Sequence, residues 1–342
     1  MSIKSIINAC KIKSLFKKFQ KKHPFDENAE FYSLKEGAPI NQTNSYYITG
    51  HSKDGQSVII RLGERGSGNN EVWFAYKDLL NNNYICAHQI LENQSLIETT
   101  CLQAGKKWKV QYSGGILQDT KTPQNIWKSL KGIRIIPAVF DGEFTASSGI
   151  FDFRYSDARA AAKSLSSQNM DKNKIKRMLE SIVYYEQAGK LQGYLNLGGK
   201  KTEIDMIALR RRFFGERDLS GIKRHFAINA LTENNQAVSV HFLDTSMGKF
   251  QLGYMTTESG NYSLESVTID EIPRDIIPNA FKFLAKFVNG KKMVIKWEKE
   301  TEFEFNYDDD NYKILESIAR FDINGAKARG VIRLGYNILL NK

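Results

Sequence analysis

The sequence predicts an all-β protein: two consecutive antiparallel β-barrels with a short helical connector and an N-terminal amphipathic helix. Short segments with apolar and polar residues in alternation recur over most of the chain, which is typical of strands. Turn-forming Asp, Asn and Gly residues separate these segments. No alternation of strands with long helices is visible, which argues against a parallel nucleotide-binding sheet. The 342 residues suffice for two such domains.

The strand pattern begins at residue 45 and continues to residue 155. A Ser-Lys-Asp-Gly turn at 52–55 indicates a hairpin between the first two strands. The predicted strands are 45–50, 57–62, 71–77, 84–91, 95–103, 107–112, 133–140 and 149–155. Their length and spacing are those of a closed antiparallel barrel or sandwich.

Residues 157–183 interrupt the strand pattern. An alanine-rich segment is followed by Asp171, an N-cap residue type, and by apolar residues at helical spacing such as Ile175 and Leu179. We interpret this segment as the helical connector between the barrels, and residues 277–288 as a possible short helix. The predicted domains are therefore an arm over 1–24, a first β-domain over 25–165 and a second over 166–342.

The chain has a formal net charge of +11, and much of the excess lies at the N-terminus. Residues 1–22 contain seven lysines and no acid, with apolar residues between them at helical spacing. A basic amphipathic helix can lie on an anionic membrane surface; the alternatives are an arm packed on its own domain or a frayed terminus. Because the charge is local and no nucleic-acid-binding motif is present, nucleic acid is not an expected partner.

Composition and motifs restrict the compartment in which the protein is expected and the kinds of site that it is expected to contain. The three cysteines, Cys10, Cys86 and Cys101, are scattered and form no CxxC pair, which favours a reducing compartment and no metal site. The N-terminus lacks the apolar core of a signal peptide, and no apolar run reaches 18 residues. We expect a cytoplasmic protein without a cofactor, with peripheral attachment to a membrane as the alternative.

Two sets of charged residues are candidates for a site. The first comprises Arg61, Glu64, Arg65, Glu71 and Trp73. The second comprises Glu186, Arg211, Glu216, Arg217, Asp218 and Arg224. Either His225 or His241 could point into a barrel with these acids nearby. Buried charges must be paired, so each set either lines a polar site or forms a structural network that holds the end of a barrel.

Several short motifs carry a resemblance to a known superfamily. Residues 215–224 read Gly-Glu-Arg-Asp-Leu-Ser-Gly-Ile-Lys-Arg, residues 185–189 read Tyr-Glu-Gln-Ala-Gly, and Gly253-Tyr254 precedes a polar strand. Val-Ile-Ile-Arg at 58–61 is followed by Glu-Val-Trp at 71–73. In these motifs the chain resembles the carotenoid hydratase (hydroxyneurosporene synthase)-like superfamily, which includes tocopherol-cyclase-like and Diels–Alderase-like proteins. The resemblance implies two lipocalin-like barrels in tandem, apolar polyene or polyketide substrates and no redox cofactor.

We therefore expect the chain to bind an apolar small molecule, such as a terpenoid, polyene, polyketide or lipid, in a β-barrel cavity or at the interface between the barrels. The expected reaction is a cofactor-independent cyclisation, isomerisation or hydration, with Asp218 or Glu216 as proton donor and Arg217 stabilising developing negative charge. The expected ligand-binding residues are Arg211, Arg224, His225, Glu186, Arg61, Glu71 and Trp73. The alternatives are a non-catalytic lipid or pigment carrier, and a membrane adaptor that acts through residues 1–22.

Overall fold

A computed structural model describes the chain over ten ranges, and strands make up most of them. The ranges are 3–68, 70–86, 95–119, 134–166, 172–217, 219–234, 236–246, 248–269, 273–307 and 311–340. Strand pairing within the described residues is antiparallel throughout and separates into two sheets that share no ladder. The predicted all-β fold with two consecutive barrels is confirmed.

The first sheet comprises the ten described strands that precede residue 217. They are β1 (Gln42–His51), β2 (Ser57–Arg65), β3 (Glu71–Lys77), β4 (Asn83–Cys86), β5 (Ser95–Gln103), β6 (Lys107–Asp119), β7 (Ile135–Ala146), β8 (Phe151–Asp152), β9 (Val183–Leu197) and β10 (Lys200–Glu216). Pairing runs from β1 through β2, β3, β4, β6, β7 and β9 to β10, and β10 pairs back with β1. These eight strands therefore form a closed ring. The two remaining strands pair with members of the ring, β5 with β6 and β8 with β9.

The second sheet is a closed barrel of eight strands within the described residues. They are β11 (Ile222–Thr232), β12 (Ala237–Thr245), β13 (Gly248–Thr257), β14 (Gly260–Thr268), β15 (Ala280–Phe287), β16 (Lys292–Tyr307), β17 (Tyr312–Ile323) and β18 (Ala326–Asn337). Each strand pairs with the next, and β18 pairs with β11 to close the ring. The inside is filled by aromatic and branched side chains, among them Phe226, Val240 and Ile332.

The chain passes from the first sheet to the second between Glu216 and Ile222, whereas the sequence placed the second domain from residue 166. Strands β9 and β10 form a long hairpin that belongs to the first ring, because β9 pairs with β7 and β10 pairs with β1. The helices α2 (Ala158–Ser166) and α3 (Lys172–Ser181) lie between β8 and β9 in the chain. They therefore connect two strands of the first sheet. We predicted that they would link the two sheets along the chain, and they do not.

The basic N-terminal segment is a helix, α1 (Ile3–Lys22), as predicted. Its residues Ile12, Phe16 and Phe19 are buried against apolar side chains of α2 and α3. This is the arrangement of an arm packed on its own domain. A search of the described helices found none that is both long and apolar enough to cross a membrane.

Residues 277–288 were predicted as a possible helix and this prediction is wrong, because they contain strand β15. Phe283, Ala285 and Phe287 are buried in alternation with exposed neighbours, which is the period of a strand. Predicted strand 149–155 is likewise reduced to the two residues of β8, followed by a 3-10 turn at Phe153–Tyr155. The end of predicted strand 84–91 lies outside the described residues.

Candidate functional site between the two barrels

Strand register assembles a row of functional side chains on the outside of the first ring. Tyr47 on β1 lies opposite Arg211 on β10 and Arg61 on β2, and Arg61 lies opposite Trp73 on β3. Residues directly opposite each other point to the same face. Neighbouring positions such as Ile48 point into the first core, so this row faces outward. It meets the second barrel there, where Trp73 stacks on Phe305 at a ring separation of 4.5 Å.

The second barrel presents a matching outward row. Arg333 on β18 lies opposite Glu316 on β17 and Ala227 on β11, and Ala227 lies opposite His241 on β12. One pleat further along the same face, His225 lies opposite Leu243 on β12. The expectation that a histidine points into a barrel is therefore wrong, because the adjacent Phe226 and Val240 take the inward positions. Between the two rows is a cleft of about 540 Å³ whose described lining includes α3 and the segment that joins β10 to β11.

A fully buried ion pair forms the first-ring wall of the cleft. Glu186 on β9 lies opposite Arg211 and accepts a hydrogen bond of 2.7 Å from Arg211 Nε. Arg211 Nη2 donates to Asn229 Oδ1 at 2.8 Å, which links the wall to the second barrel. Burial alone would raise the pKa of Glu186, but the Arg211 charge and hydrogen bonds from His241 and Ser239 lower it far below its ordinary value. Glu186 is therefore an anion at neutral pH.

A second buried pair crosses between the barrels. Arg333 Nε donates to Glu316 Oε1 at 2.6 Å, and the Tyr47 hydroxyl donates to Glu316 Oε2 at 2.8 Å. The Tyr47 ring is contacted by two guanidinium groups, with Arg211 Cζ 5.0 Å and Arg333 Cζ 4.6 Å from its centroid. Such cation–π contacts strengthen when desolvated, so Tyr47 fixes the spacing of the two arginines.

Two stacked histidines lie beside these pairs. His225 Nε2 is 3.0 Å from His241 Nδ1, and His241 Nε2 is 3.0 Å from Ser239 Oγ and 3.4 Å from Glu186 Oε1. His241 is buried and His225 is partly exposed, and both line the cleft. Burial, followed by the neighbouring His241 and the charge of Arg333, lowers the pKa of His225 well below its ordinary value. Burial also lowers the pKa of His241, although Glu186 opposes this shift, so both rings are neutral at pH 7.

The network determines which imidazole nitrogens carry protons. The Glu186 carboxylate is an acceptor only, so His241 Nε2 carries the proton that faces Glu186 and Ser239. His241 Nδ1 is then an acceptor, and His225 Nε2–H donates to it. The other nitrogen of His225, Nδ1, is left with its lone pair and accepts no hydrogen bond within the described part of the chain. Since His225 lines the cleft and is partly exposed, this lone pair is the hydrogen-bond acceptor that the histidine pair offers to a bound molecule.

The structure brings most of the predicted site residues together. Those that line the cleft are Arg61, Trp73, Arg211, Glu216, Arg217 and His225. Glu71 lies behind Arg61 and accepts 2.9 Å and 3.2 Å hydrogen bonds from its guanidinium, and Glu186 lies behind Arg211. Arg224 instead pairs with Asp244 at 2.7 Å and is not among the lining residues. Asp218, the first predicted acid, lies outside the described residues.

Several described contributors to the site were not among the predicted site residues: Tyr47, Asn229, Ser239, Glu316, Arg333 and Tyr184, whose ring centroid is 5.7 Å from Arg211 Cζ. Tyr47 and Glu316 are 269 positions apart in the chain, and each looks like an ordinary strand residue on its own. His241 was considered beside His225, and the signal that could have selected it is its alternation with Val240 and Phe242, which point into the core. No group of three or more potential metal ligands was found when the described residues were searched.

Comparisons with known proteins support the fold. No protein-family profile and no curated protein sequence matches the chain. A crystal structure of a protein provisionally named AttH, from Nitrosomonas europaea, aligns over 91% of this chain and 97% of its own, with a TM-score of 0.56 and 12% identity. At this identity the likeness shows the fold alone, and at that level the tandem lipocalin-like resemblance is confirmed.

Two further solved structures align over similar lengths with lower scores. CghA in complex with Sch210972 aligns over 87% of this chain and 88% of its own, at 8% identity and a TM-score of 0.45. Kievitone hydratase from Nectria haematococca aligns over 89% of this chain and 92% of its own, at 10% identity and a TM-score of 0.48.

Proposed function

We propose that the cleft binds an apolar small molecule and that His225 moves a proton on it, in a cofactor-independent isomerisation, cyclisation or hydration. The observation that supports this best is the neutral His225–His241 pair, which lines an apolar cleft and is backed by the ionised Glu186. Apolar clefts of several hundred Å³ with a few convergent polar groups are typical of small-molecule sites.

The hydrogen bonds suggest how the proton would move. His225 Nδ1 takes a proton from the bound molecule, and the resulting imidazolium is stabilised through His241 by the Glu186 carboxylate. The negative charge left on the molecule faces Arg211 and Arg333, which line the same cleft. Return of the proton from His225 Nδ1 to a different atom completes an isomerisation, and return after ring closure completes a cyclisation. Such proton transfer by a positioned group contributes roughly 100-fold or more to rate.

Binding can be tested with N-phenyl-1-naphthylamine, a neutral probe whose fluorescence rises in apolar surroundings. Met178 lines the cleft and is 37% exposed, so Met178→Trp should fill the cleft without disturbing the core. Leu284 is 38% exposed and lies outside the described lining, so Leu284→Trp is the matched control. We expect the first variant to lose probe binding and the second to retain it. Equal binding by both variants would place the apolar site elsewhere.

Proton transfer can be tested separately with β-ionone, a terpenoid ketone, after showing that it displaces the naphthylamine. In heavy water, the protein should accelerate deuterium incorporation next to the carbonyl, as measured by mass spectrometry. His225→Gln should reduce this rate about 100-fold while the displacement is unchanged. His23→Gln, at an exposed position on the N-terminal segment, is the control. Full exchange activity in His225→Gln would assign the proton transfer to another group, and no acceleration by the parent protein would leave a carrier as the better interpretation.

A further inference from the structure

We infer that the cleft selects apolar molecules that carry an anionic oxygen group, of the carboxylate class. The inference rests on the proposed binding function and names the ligand chemistry of the same site.

The lining of the cleft is strongly asymmetric in charge. Among its described residues six side chains are cationic and one, Glu216, is an acid. The six are Arg61, Lys174, Arg177, Arg211, Arg217 and Arg333. Arg177 and Lys174 are exposed on α3, whereas Arg211 and Arg333 are buried at the base.

The carboxylates that balance the deep arginines lie behind them. Glu186 and Glu316 are both completely buried and are absent from the lining, although each holds a guanidinium that is part of it. The cleft therefore meets the cationic side of each pair, while the anionic side is turned into the protein. Because the deep arginines are buried and the cleft is lined mainly by apolar surface, this arrangement should attract a negative group more strongly than the same charges would at the surface.

Arg211 also has an unused donor. Its Nε and Nη2 bond to Glu186 and Asn229, but its buried Nη1 has no hydrogen-bond partner within the described residues. Buried donors are almost always paired, so an unpaired donor on an arginine that lines the cleft favours a ligand with a hydrogen-bond acceptor. A carboxylate oxygen fits, because it accepts charge-assisted hydrogen bonds from guanidinium N–H groups.

The histidine beside the arginines responds to the same field. After burial and the neighbouring His241, the charges of Arg333, Arg211 and Arg217 lower the pKa of His225. The electrostatic potential at this wall is thus positive, which supports a preference for anionic ligands over neutral and cationic ones. The remaining described lining, including Ile182, Phe213, Leu219 and Leu252, is apolar and suits a hydrocarbon body.

The test compares dodecanoate with dodecanol, which have the same hydrocarbon chain, as competitors for N-phenyl-1-naphthylamine at pH 8. We expect dodecanoate to displace the probe at a concentration at least tenfold lower than dodecanol. Dodecylammonium should be the weakest of the three. Raising the salt concentration should bring the displacing concentrations of dodecanoate and dodecanol closer together, because ions screen the exposed cations.

Rim residues are suitable for variants because they are exposed or partly exposed, so replacing them should spare the buried core. The double variant Arg177→Gln, Arg217→Gln should reduce the preference for dodecanoate by several-fold and leave the binding of dodecanol unchanged. Arg320→Gln is the control, since Arg320 is 56% exposed and lies outside the described lining. Equal displacement by acid and alcohol, with Met178→Trp still abolishing both, would overturn the inference and leave the apolar site standing. Failure of all three competitors and of the probe would overturn both.

Discussion

At the scale of single residues, the rigidity of the cleft wall depends on the Glu186–Arg211 pair. Both side chains are almost completely buried, with exposed fractions of 0% and 4%. Removing one partner of such a pair leaves an uncompensated charge in the interior, and this costs about 3–5 kcal/mol. The pair is therefore needed both to hold Arg211 in place and to keep the histidine pair oriented.

Glu186→Gln should consequently lower the free energy of unfolding by about 3–5 kcal/mol, since Arg211 would lose its counter-charge. The measurement is urea denaturation at pH 7. Glu216→Gln removes an exposed carboxylate at the rim and should stay within about 0.5 kcal/mol of the parent. Equal stability of both variants would show that water or rearrangement compensates the Arg211 charge.

A second residue-scale prediction concerns His51, which is 1% exposed and hydrogen-bonded to Ser57 through Nδ1 at 2.9 Å. Burial, with the charges of Arg329 and Lys77, lowers its pKa to about 3. The unfolded chain takes up this proton near pH 6.5, so the stabilising contribution is complete above that pH and decreases as the pH falls towards 3.

Between pH 6.5 and 4.5 this one group should cost the parent protein about 2–3 kcal/mol of stability. His51→Asn should lose correspondingly less over the same interval, as measured by chemical denaturation at a series of pH values. His23→Asn, at an exposed position, serves as the control and should keep the parent's dependence. If the free energy of unfolding of His51→Asn fell with pH as steeply as that of the parent, the acid sensitivity would be assigned to His225 and His241 instead.

Some residues of the cleft could be predicted from the sequence and others could not. Arg61, Trp73, Arg211 and His225 were found because charges and aromatic residues clustered near predicted strand ends. Arg333 was not, because one arginine in an alternating strand has the same pattern as a solvent-exposed position. Its burial depends on a second barrel packed against it, and one sequence alone does not specify that packing.

At the scale of elements, α1 shows how a basic segment becomes part of a fold. Phe16 is 5% exposed and packs in a cluster that includes Ala161 of α2 and Leu179 of α3. Ile6, near the start of the same helix, is 50% exposed. The apolar face of the C-terminal half is therefore covered by protein, and an exposed basic face remains.

Phe16→Ala should lower the free energy of unfolding by about 3 kcal/mol, because it leaves a cavity among three helices. Ile6→Ala should change it by less than about 0.5 kcal/mol. Thermal and urea denaturation of the two variants and the parent give the comparison. If Phe16→Ala were as stable as Ile6→Ala, the arm would be detached in solution, and the membrane-surface interpretation would gain support.

The alternation of apolar and polar residues predicted the positions of the strands better than it predicted which strands pair with each other. Strands β2, β3 and β5 were predicted to within a few residues, because alternation and turns are local properties. The segment 277–288 was misassigned because its apolar residues are so dense that helical and strand spacing both fit. The role of α2 and α3 was missed for another reason, since whether a helix pair links two sheets or returns to one depends on non-local pairing.

At the scale of the whole molecule, the hairpin β9–β10 closes the first ring and also carries Glu186 and Arg211. Its inward side chains Leu191, Leu195, Ile204 and Met206 belong to the first core. A first domain that ends near residue 165 would lack two of the eight ring strands and would leave β1 and β7 with open edges.

A fragment of residues 1–217 should therefore fold cooperatively, and a fragment of residues 1–165 should not. The difference is measured by circular dichroism and thermal melting, and 1–165 should aggregate through its unpaired strand edges. A fragment of residues 219–342 should close its own barrel but expose Phe303, Phe305 and Ile318, which the first ring covers in the intact chain. We expect it to associate with 1–217 on mixing and to restore naphthylamine binding, because the cleft needs both walls. A cooperative transition in 1–165 would contradict the closed first ring, and probe binding by either half alone would contradict a cleft shared between them.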